Sequence, residues 1–152
     1  MCVEIVPMEI ADYEEVVRLW RSVEGVGLHD YEDSREGISF YLERNPGLSL
    51  VARQSGVLVG AVLCGHDGRR GSINHLAVAL GFRLQAVGRM LVDRCLTELQ
   101  LIGIRKCNIV VFRENESGRA FWKRLGWDER EYLVPMQKSI NNEVERVSPH
   151  YS

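Results

Sequence analysis

The sequence predicts an α/β (α+β) fold in which a mixed, mostly antiparallel central sheet is flanked by helices. Two observations carry this prediction: three β-rich runs follow one another with only short turns between them, and a strand-loop-helix-strand unit starts at Asn74. The helix of that unit must connect two parallel strands of the same sheet. With the other helices placed by apolar spacing, the predicted order is β-α-α-β-β-β-α-β-α-β-β, in one domain over residues 1–140 followed by a polar tail over 141–152.

The first third of the chain predicts a short strand over residues 3–6 and two helices. Asp12 is the expected N-cap of the first helix, with Glu15 three residues later completing a capping box. Ser34 is the expected cap of the second helix. Asn45-Pro46-Gly47 ends that helix, because the residue before a proline disfavours helical backbone.

The rest of the chain predicts the sheet and two more helices. Strands over 48–53, 57–65 and 73–78 are connected by a turn at 54–56 and by Asp67-Gly68, a dipeptide suited to a two-residue hairpin. A long amphipathic helix follows and ends at Gly103; its apolar face is Leu91, Val92, Cys95, Leu96, Leu99 and Ile102. A strand over 107–112, a helix over 117–125 and one or two strands over 127–139 complete the prediction.

Composition and charge exclude several classes of function. The chain is 45% hydrophobic and 26% charged with a formal net charge of −2, which is typical of a soluble globular protein and argues against a nucleic-acid-coating role. No apolar run is long enough to span a membrane, and the first ten residues lack the basic and apolar segments of an export signal. The four cysteines form no CxxC pair, so we expect reduced structural thiols, no metal and a cytoplasmic location.

The most informative segment is the loop that opens the long helix. A helix start exposes unpaired backbone N–H groups and the positive end of the helix dipole. Ala86 and Gly88 are small enough for a bulky anion to approach these groups, and Arg83 and Arg89 add positive charge. The alternative explanations are solvated basic residues for the arginines and close packing for Gly88. The segment predicts a site for a phosphorylated cofactor, at the carboxyl end of a strand where open α/β sheets usually bind ligands.

With these elements placed, the chain resembles the GCN5-related N-acetyltransferase (GNAT) family. The loop Arg83-Leu84-Gln85-Ala86-Val87-Gly88 is similar to the family's acetyl-CoA signature, (Q/R)xxGxG/A, with Ala86 in place of the first glycine. Leu76-Ala77-Val78 matches the strand that holds the pantetheine arm, Asn115 matches an asparagine after the next strand, and residues 121–127 (FWKRLGW) resemble the FYxxxGF end motif.

A turn at residues 65–71 (GHDGRRG) also resembles a feature of a bacterial subgroup of this family. Resemblance to this subgroup implies no particular substrate. Arg69 and Arg70 in this turn are explained either as an exposed solubilising pair or as contacts to an acidic acceptor.

The resemblance implies transfer of the acetyl group of acetyl-CoA to a primary amine of a small molecule or peptide, by direct attack on the thioester. It implies cofactor contacts at Leu76, Ala77, Val78, Arg83, Leu84, Gln85, Ala86, Val87, Gly88, Arg89, Asn115 and Trp122. It also allows a homodimer, and neither nucleic acid nor a membrane is expected as a partner. Two alternatives stay open: a non-catalytic acyl-CoA-binding module, and another kind of nucleotide-binding α/β domain that would leave Asn115 and the end motif unexplained.

The base that frees the amine is the first open question. An alkylammonium has a pKa of about 10.4, so freeing it at neutral pH requires about 4 kcal/mol from a base or a desolvating pocket. The glutamate that some family members carry five residues before the asparagine is Val110 here. Candidates are His75, since imidazole has the side-chain pKa nearest neutrality, Glu114 at the expected mouth of the site, and water relayed through Asn74. For His75 the alternative is a packed or hydrogen-bonded core residue.

The acid that protonates the departing thiolate is the second open question. Many family members use a tyrosine of the end motif, where this chain has Trp122, whose indole N–H donates a hydrogen bond but delivers no proton. Trp122 is also explained as a core residue. A thiol with a pKa of about 8.5 is a tolerable leaving group even unprotonated, and Tyr132 is an alternative donor.

Overall fold

The computed structural model of the chain describes residues 2–141, without the side chains of Leu84 and Gln85; the predicted tail beyond residue 141 lies outside the described residues. Its strands are β1 (Glu4–Pro7), β2 (Leu50–Gln54), β3 (Val57–His66), β4 (Gly71–Val78) and β5 (Cys107–Asn108). Its helices are α1 (Tyr13–Ser22), α2 (Arg35–Arg44), α3 (Val87–Leu101) and α4 (Glu116–Arg124), with short 3₁₀ turns at Ile10–Asp12 and Leu80–Gln85. No helix within residues 2–141 is long and apolar enough to cross a membrane.

The strands form one five-stranded sheet in the order β1-β2-β3-β4-β5. The first four are antiparallel neighbours and β5 is parallel to β4, so the mixed sheet and the parallel crossover through α3 are confirmed. Helices α1 and α2 cover one face of the sheet, where Trp20 and Ile38 are buried. Helices α3 and α4 pack on the other face, where Leu91 and Leu99 of α3 are buried. The apolar stripes predicted from helical spacing are the surfaces that cover the sheet, except that Ile102 follows the end of α3 and is 53% exposed.

The two predicted helix caps have different outcomes. Ser34 caps α2 as expected, because its Oγ accepts a hydrogen bond at 3.0 Å from a backbone N–H in the first turn. Asp12 is the N-cap residue of α1 as expected, but its side chain makes no capping hydrogen bond, so the predicted capping box with Glu15 is wrong. The Asp12 carboxylate instead accepts from the backbone N–H of Glu9 at 2.9 Å and from the Arg53 guanidinium at 2.7 Å. Charge-assisted bonds to Arg53, which also binds Glu15 at 2.9 Å, outcompete the helix N–H.

The turn between β3 and β4 is shifted by one residue from its predicted position. Asp67 donates its N–H to the carbonyl of Arg70 at 3.2 Å, so the two enclosed residues are Gly68 and Arg69. The Asp67 carboxylate accepts from the N–H groups of Arg69 and Arg70, both at 2.8 Å, and this holds the pKa of Asp67 below its usual value. Gly68 takes the positive φ of 93° that the turn requires.

The open edge of the sheet departs from the prediction. The strand predicted over 107–112 is only two residues long, because β5 pairs with β4 at Gly71–Cys107 and Ser72–Asn108 and nowhere further. The strands predicted over 127–139 are wrong: these residues form no strand, and Val134 and Met136 are 78% and 93% exposed. A strand needs a neighbour to bond its backbone, and β5 is too short to provide one. The predicted fold class is confirmed, without the last two strands of the predicted order.

Candidate functional site

The parallel pair β4-β5 separates after two residues and leaves one edge of β4 open. Pairing stops at Ser72, whereas β4 continues to Val78. The backbone N–H of Ala79 bonds to the carbonyl of Val59 on β3 at 2.8 Å, so the alternation along a strand turns the backbone groups of Val78 and Leu76 toward the open edge. An extended ligand can pair with such an edge as another strand would.

Ala77 lies between these two residues and faces the other way. It pairs with Ala61 of β3 and is 2% exposed. Of the three strand residues predicted to hold a cofactor arm, Leu76 and Val78 therefore turn backbone groups to the open edge, whereas Ala77 packs in the core.

Helix α3 begins just beyond the end of this edge. Its N-cap residue, Ala86, has a left-handed backbone (φ 60°, ψ 21°) and gives no side-chain cap, so the first-turn N–H groups are left for another acceptor. Val87 is fully buried and anchors this first turn against the sheet. Gly88 is also a packing residue, because a Cβ there would lie 3.2 Å from Cζ of Phe121 in α4. The packing explanation for Gly88 is therefore supported, and the anion site at this helix start stays a prediction.

Arg83 and Arg89 flank the helix start in different ways. Arg83 donates from Nε to the Val78 carbonyl at 3.4 Å, across the end of the open edge. Arg89 is 65% exposed and lies 3.7 Å from the aspartate four residues on, an arrangement that contributes little energy at a surface. Arg83 is thus placed to reach an anion at the helix start, and Arg89 fits the solvated explanation. The side chains of Leu84 and Gln85, also predicted to contact the cofactor, lie outside the described residues.

A bulge in β4 changes the direction of two polar side chains. Leu63 pairs with Asn74 and Ala61 with Ala77, so β4 has one residue more than β3 in this interval. His75 has the positive φ of 53° that accommodates the extra residue. A left-handed backbone is uncommon outside glycine, although histidine is among the residues that tolerate it.

The His75 ring lies against α1 on the face of the sheet that α1 and α2 cover. It meets the Trp20 ring edge to face with 5.0 Å between centroids, and the His75 carbonyl accepts from Trp20 Nε1 at 2.8 Å. His75 Nε2 lies 2.9 Å from Oδ1 of Asp33, in the loop between α1 and α2. The side chains are 17% exposed for His75 and 7% for Asp33. His75 is therefore hydrogen-bonded, as its alternative explanation required, but its partner is a carboxylate.

Asn74 lies on the same face, beside α2. Its Nδ2 donates to Ser72 Oγ at 3.1 Å, and the Tyr41 phenol of α2 lies near its amide. Burial raises the pKa of Tyr41 to about 12, so this phenol is protonated at neutral pH. The bulge thus places Asn74 and His75 in one polar strip with Tyr41, next to the open edge of β4.

Glu114 lies in a different place from the other two predicted catalytic residues. It lines a polar cavity of about 420 Å³ with Ser22, Glu24, Arg83, Asn115, Glu116 and Ser117. Asn115 is the N-cap of α4, and its Oδ1 accepts from the Gly118 N–H at 3.0 Å. The cavity thus brings Glu114 and Asn115 to the Arg83 end of the open edge. Asn74 and His75 do not line it.

The aromatic residues of the end motif pack against one another. Trp122 meets Phe121 and Trp127 edge to face, with ring centroids 5.3 Å and 5.0 Å apart, and is partly buried against the core beneath α3. This packing favours the core explanation of Trp122. Val110 is 79% exposed, and the Tyr132 phenol accepts from Arg130 at 2.7 Å on an exposed segment rather than on a neighbouring strand.

Arg69 and Arg70 lie at the start of β4, whereas the helix start that offers an anion site follows its end. The strand has eight residues, which corresponds to about 25 Å. This separation places the arginines away from that helix start, and both explanations, a solubilising pair and contacts to an acidic acceptor, stay predictions. The relation of the GHDGRRG turn to a bacterial subgroup stays a prediction.

These features, an open edge of β4 that leads to an uncapped helix start, agree with comparisons to known proteins. The family model described as "Acetyltransferase (GNAT) family" matches residues 13–127. The chain belongs to the GNAT acetyltransferase family. It is 32% identical to Acetyltransferase YE1169 of Yersinia enterocolitica, over 86% of this chain and 92% of that protein.

Two solved structures show the same fold at low sequence identity. The PaiA N-acetyltransferase of Thermoplasma acidophilum, in complex with coenzyme A, has a TM-score of 0.73 and 18% identity over 84% of this chain and 91% of that one. AAC(6′)-Iy, in complex with the bisubstrate analogue CoA-S-monomethyl-acetylneamine, has a TM-score of 0.72 and 17% identity over 91% and 99%. The chain is accordingly an acyl-CoA-dependent N-acetyltransferase with acetyl-CoA as co-substrate and an amine as acceptor.

Sequence reasoning missed two residues of the polar strip. Asp33 looks in the sequence like one of several acidic residues before the Ser34 cap, and Tyr41 like part of the apolar face of α2. Their positions next to His75 and Asn74 depend on the bulge, and neither the spacing nor the composition of the sequence predicts a bulge. The positive φ of His75 is its only local mark, and histidine at that position is not a sequence signal.

Proposed function

We propose that this GNAT enzyme acetylates a primary amine of a small molecule or peptide, by direct attack of the amine on the acetyl-CoA thioester. The observation that carries the proposal is the continuity of the open β4 edge with the start of α3, where Ala86 leaves the first-turn N–H groups without a side-chain cap. We take residues 1–140 as the catalytic domain, a cytoplasmic location as the expected one, and a homodimer as an open prediction.

The cofactor is bound in two parts. The pyrophosphate accepts from the N–H groups at the start of α3, with Arg83 as the nearest side-chain cation, and each such charge-assisted bond contributes roughly 1.5–3 kcal/mol. The pantetheine arm then runs along the open edge, where the backbone groups of Val78 and Leu76 bond to its amides. This direction carries the thioester from the helix start toward the bulge at His75.

The acceptor amine approaches from the face that α1 and α2 cover. Removing a proton from an alkylammonium at neutral pH requires about 4 kcal/mol, so a nearby base determines how much of the amine is reactive. Asn74 and His75 lie beside the open edge, whereas Glu114 lies in the cavity at the Arg83 end. We therefore assign proton removal to the Asn74–His75 strip, and the attraction of a cationic amine to Glu114.

The thiolate leaves without a side-chain acid. Trp122 delivers no proton and packs among aromatic rings, and a thiol with a pKa of about 8.5 departs tolerably as the thiolate. The thiolate is protonated afterwards by the acylated ammonium or by water. Trp122→Phe should therefore lower the melting temperature and leave the rate constant for acetyl transfer close to the wild-type value.

A two-step experiment tests this function. A thermal-shift titration with acetyl-CoA, CoA, ATP and NAD comes first; a ligand at a hundred times its dissociation constant adds about 2.7 kcal/mol, a shift of several degrees. Release of CoA is then measured with neamine, an alanyl tripeptide, a lysyl peptide with a blocked terminus, and spermidine. Stabilisation by the CoA ligands with turnover of at least one amine is expected. Stabilisation by ATP or NAD alone, or CoA binding without turnover, would refute the proposal.

A further inference from the structure

We propose that Asp33 is a positioning residue that presents His75 as the general base, with Nδ1 as the atom that takes the proton. The inference rests on the proposed amine acetylation and adds to it a definite base, a definite tautomer and the residue that selects both.

Asp33 is held at several points, so its carboxylate has little freedom to move. Oδ2 accepts from the backbone N–H of His29 at 2.7 Å, and Oδ1 faces His75 Nε2 at 2.9 Å. The backbone N–H of Asp33 also donates to the His29 carbonyl at 3.1 Å. With a side chain only 7% exposed, the carboxylate is a fixed acceptor for the ring.

A fixed carboxylate determines the tautomer of the imidazole. An ionised carboxylate only accepts hydrogen bonds, so the proton of a neutral His75 ring lies on Nε2 and the lone pair lies on Nδ1. Trp20 packs against the ring and bonds to the His75 carbonyl, which fixes the plane of the ring as well. The base nitrogen is therefore Nδ1.

The bulge brings this nitrogen to the reaction. A regular strand would turn Asn74 and His75 to opposite faces, but the extra residue and the φ of 53° at His75 keep both on the face covered by α1 and α2. The same bulge lies in the part of β4 that no longer pairs with β5, so His75 belongs to the segment that forms the open edge along which the thioester would run. Strained non-glycine backbone of this kind is typical of functional sites.

The proton and the acetyl group then move in a balanced sequence. Nδ1 takes one proton from the acceptor ammonium, giving a free amine and an imidazolium whose charge Asp33 stabilises. The amine nitrogen forms a bond to the thioester carbon, the C–S bond breaks, and the electron pair leaves with the CoA sulfur. The second proton of the nitrogen goes to the thiolate, and the imidazolium returns its proton to water.

The experiment compares Asp33→Asn, His75→Asn and Tyr13→Phe in the full chain. Tyr13→Phe is the matched control, because it removes a hydrogen bond to the same residue without touching the carboxylate. The two carboxylate oxygens of Asp33 accept from two donors, whereas an amide has only one acceptor oxygen. Asp33→Asn therefore cannot accept both from the His29 N–H and from an Nε2–H of His75. The ring tautomer is read from two-bond ¹H–¹⁵N NMR correlations, and kcat and KM are measured with the amine that the panel identifies.

We expect the Nε2–H tautomer in the wild type and in Tyr13→Phe, and its loss in Asp33→Asn. We expect kcat to fall about 10²-fold or more in His75→Asn and about tenfold or more in Asp33→Asn, with the KM for acetyl-CoA unchanged and Tyr13→Phe close to wild type. An Nδ1–H tautomer in the wild type, or equal losses in Asp33→Asn and Tyr13→Phe, would overturn the inference while amine acetylation stands. A panel without any turnover would refute the proposed function, and this base with it.

Discussion

Replacing Ala86 by glycine should stabilise the protein, although glycine usually weakens a helix. Ala86 has φ 60° and ψ 21°, and left-handed backbone costs a residue with a Cβ about 1–2 kcal/mol relative to glycine. The greater freedom of glycine in the unfolded chain opposes this by about 0.4–1 kcal/mol. Ala86 is exposed, so the substitution sacrifices little packing. The free energy of unfolding should rise by about 0.5–1 kcal/mol, which raises the melting temperature by about 1–4 °C.

The control is the same substitution in an ordinary helical position. Ala120 is exposed within α4, and Ala120→Gly should lower the free energy of unfolding by about 1 kcal/mol. Both variants are measured by urea unfolding and by thermal melting with and without acetyl-CoA. If Ala86→Gly destabilises the chain as Ala120→Gly does, the left-handed start of α3 does not exist in solution. The stabilisation by acetyl-CoA should persist in both variants, because the proposed contacts to the pyrophosphate come from backbone N–H groups.

Three further predictions concern packing, a turn and pH. Gly88→Ala should lower the free energy of unfolding by about 1 kcal/mol, because its Cβ would lie 3.2 Å from Phe121 Cζ, and Phe121→Leu should recover part of the loss in a double-mutant cycle. Ser55→Asn should raise the urea midpoint, because Ser55 and Gly56 have φ values of 50° and 80° and asparagine favours the first position of such a hairpin turn; a lower midpoint would contradict the assigned turn. Hydrogen bonds from Arg119 lower the pKa of Glu129 to about 2 in the folded chain, against an ordinary value of 4.5. Because the pKa of Glu129 is lower in the folded chain, its ionised carboxylate stabilises the folded state fully above pH 4.5, and this stabilisation disappears as the pH falls toward 2. The melting temperatures of wild type and Glu129→Gln should therefore differ at pH 6 and converge in acid.

Much of the fold follows from local patterns in the sequence. The Ser34 cap, the three antiparallel strands and the parallel crossover through α3 are all present, because each depends on residues that are close in sequence or on a general rule of chain connection. The failures are of a different kind. The Asp12 carboxylate binds Arg53, which is 41 residues away, instead of capping the first helix as predicted. The strands after Gly126 require a partner edge, and their β-rich composition does not reveal that β5 ends after two residues.

In the candidate site too, the sequence predicts the parts formed by one continuous segment and not the parts that depend on distant contacts. The helix start at Ala86 and the strand Leu76-Ala77-Val78 could be predicted because they form one continuous segment, although only the structure shows that Ala77 faces β3. The amine face could not be predicted as a unit. The sequence offers His75 as one of several candidates, and its partner Asp33 lies 42 residues away in a loop. Contacts across that distance depend on the register of β4, which one inserted residue changes.

That inserted residue connects the two halves of the site. The bulge at His75 falls between the part of β4 that pairs with β5 and the part that does not, so a change in strand direction there separates the two strands. Separation exposes the edge to which the pantetheine arm would bond, and the same insertion directs Asn74 and His75 to the face from which the amine would come. Deleting His75 would therefore remove more than a side chain. It would restore the regular alternation of β4, extend the β4-β5 pairing and close the cleft, so acetyl-CoA binding should be lost, whereas His75→Asn should retain it.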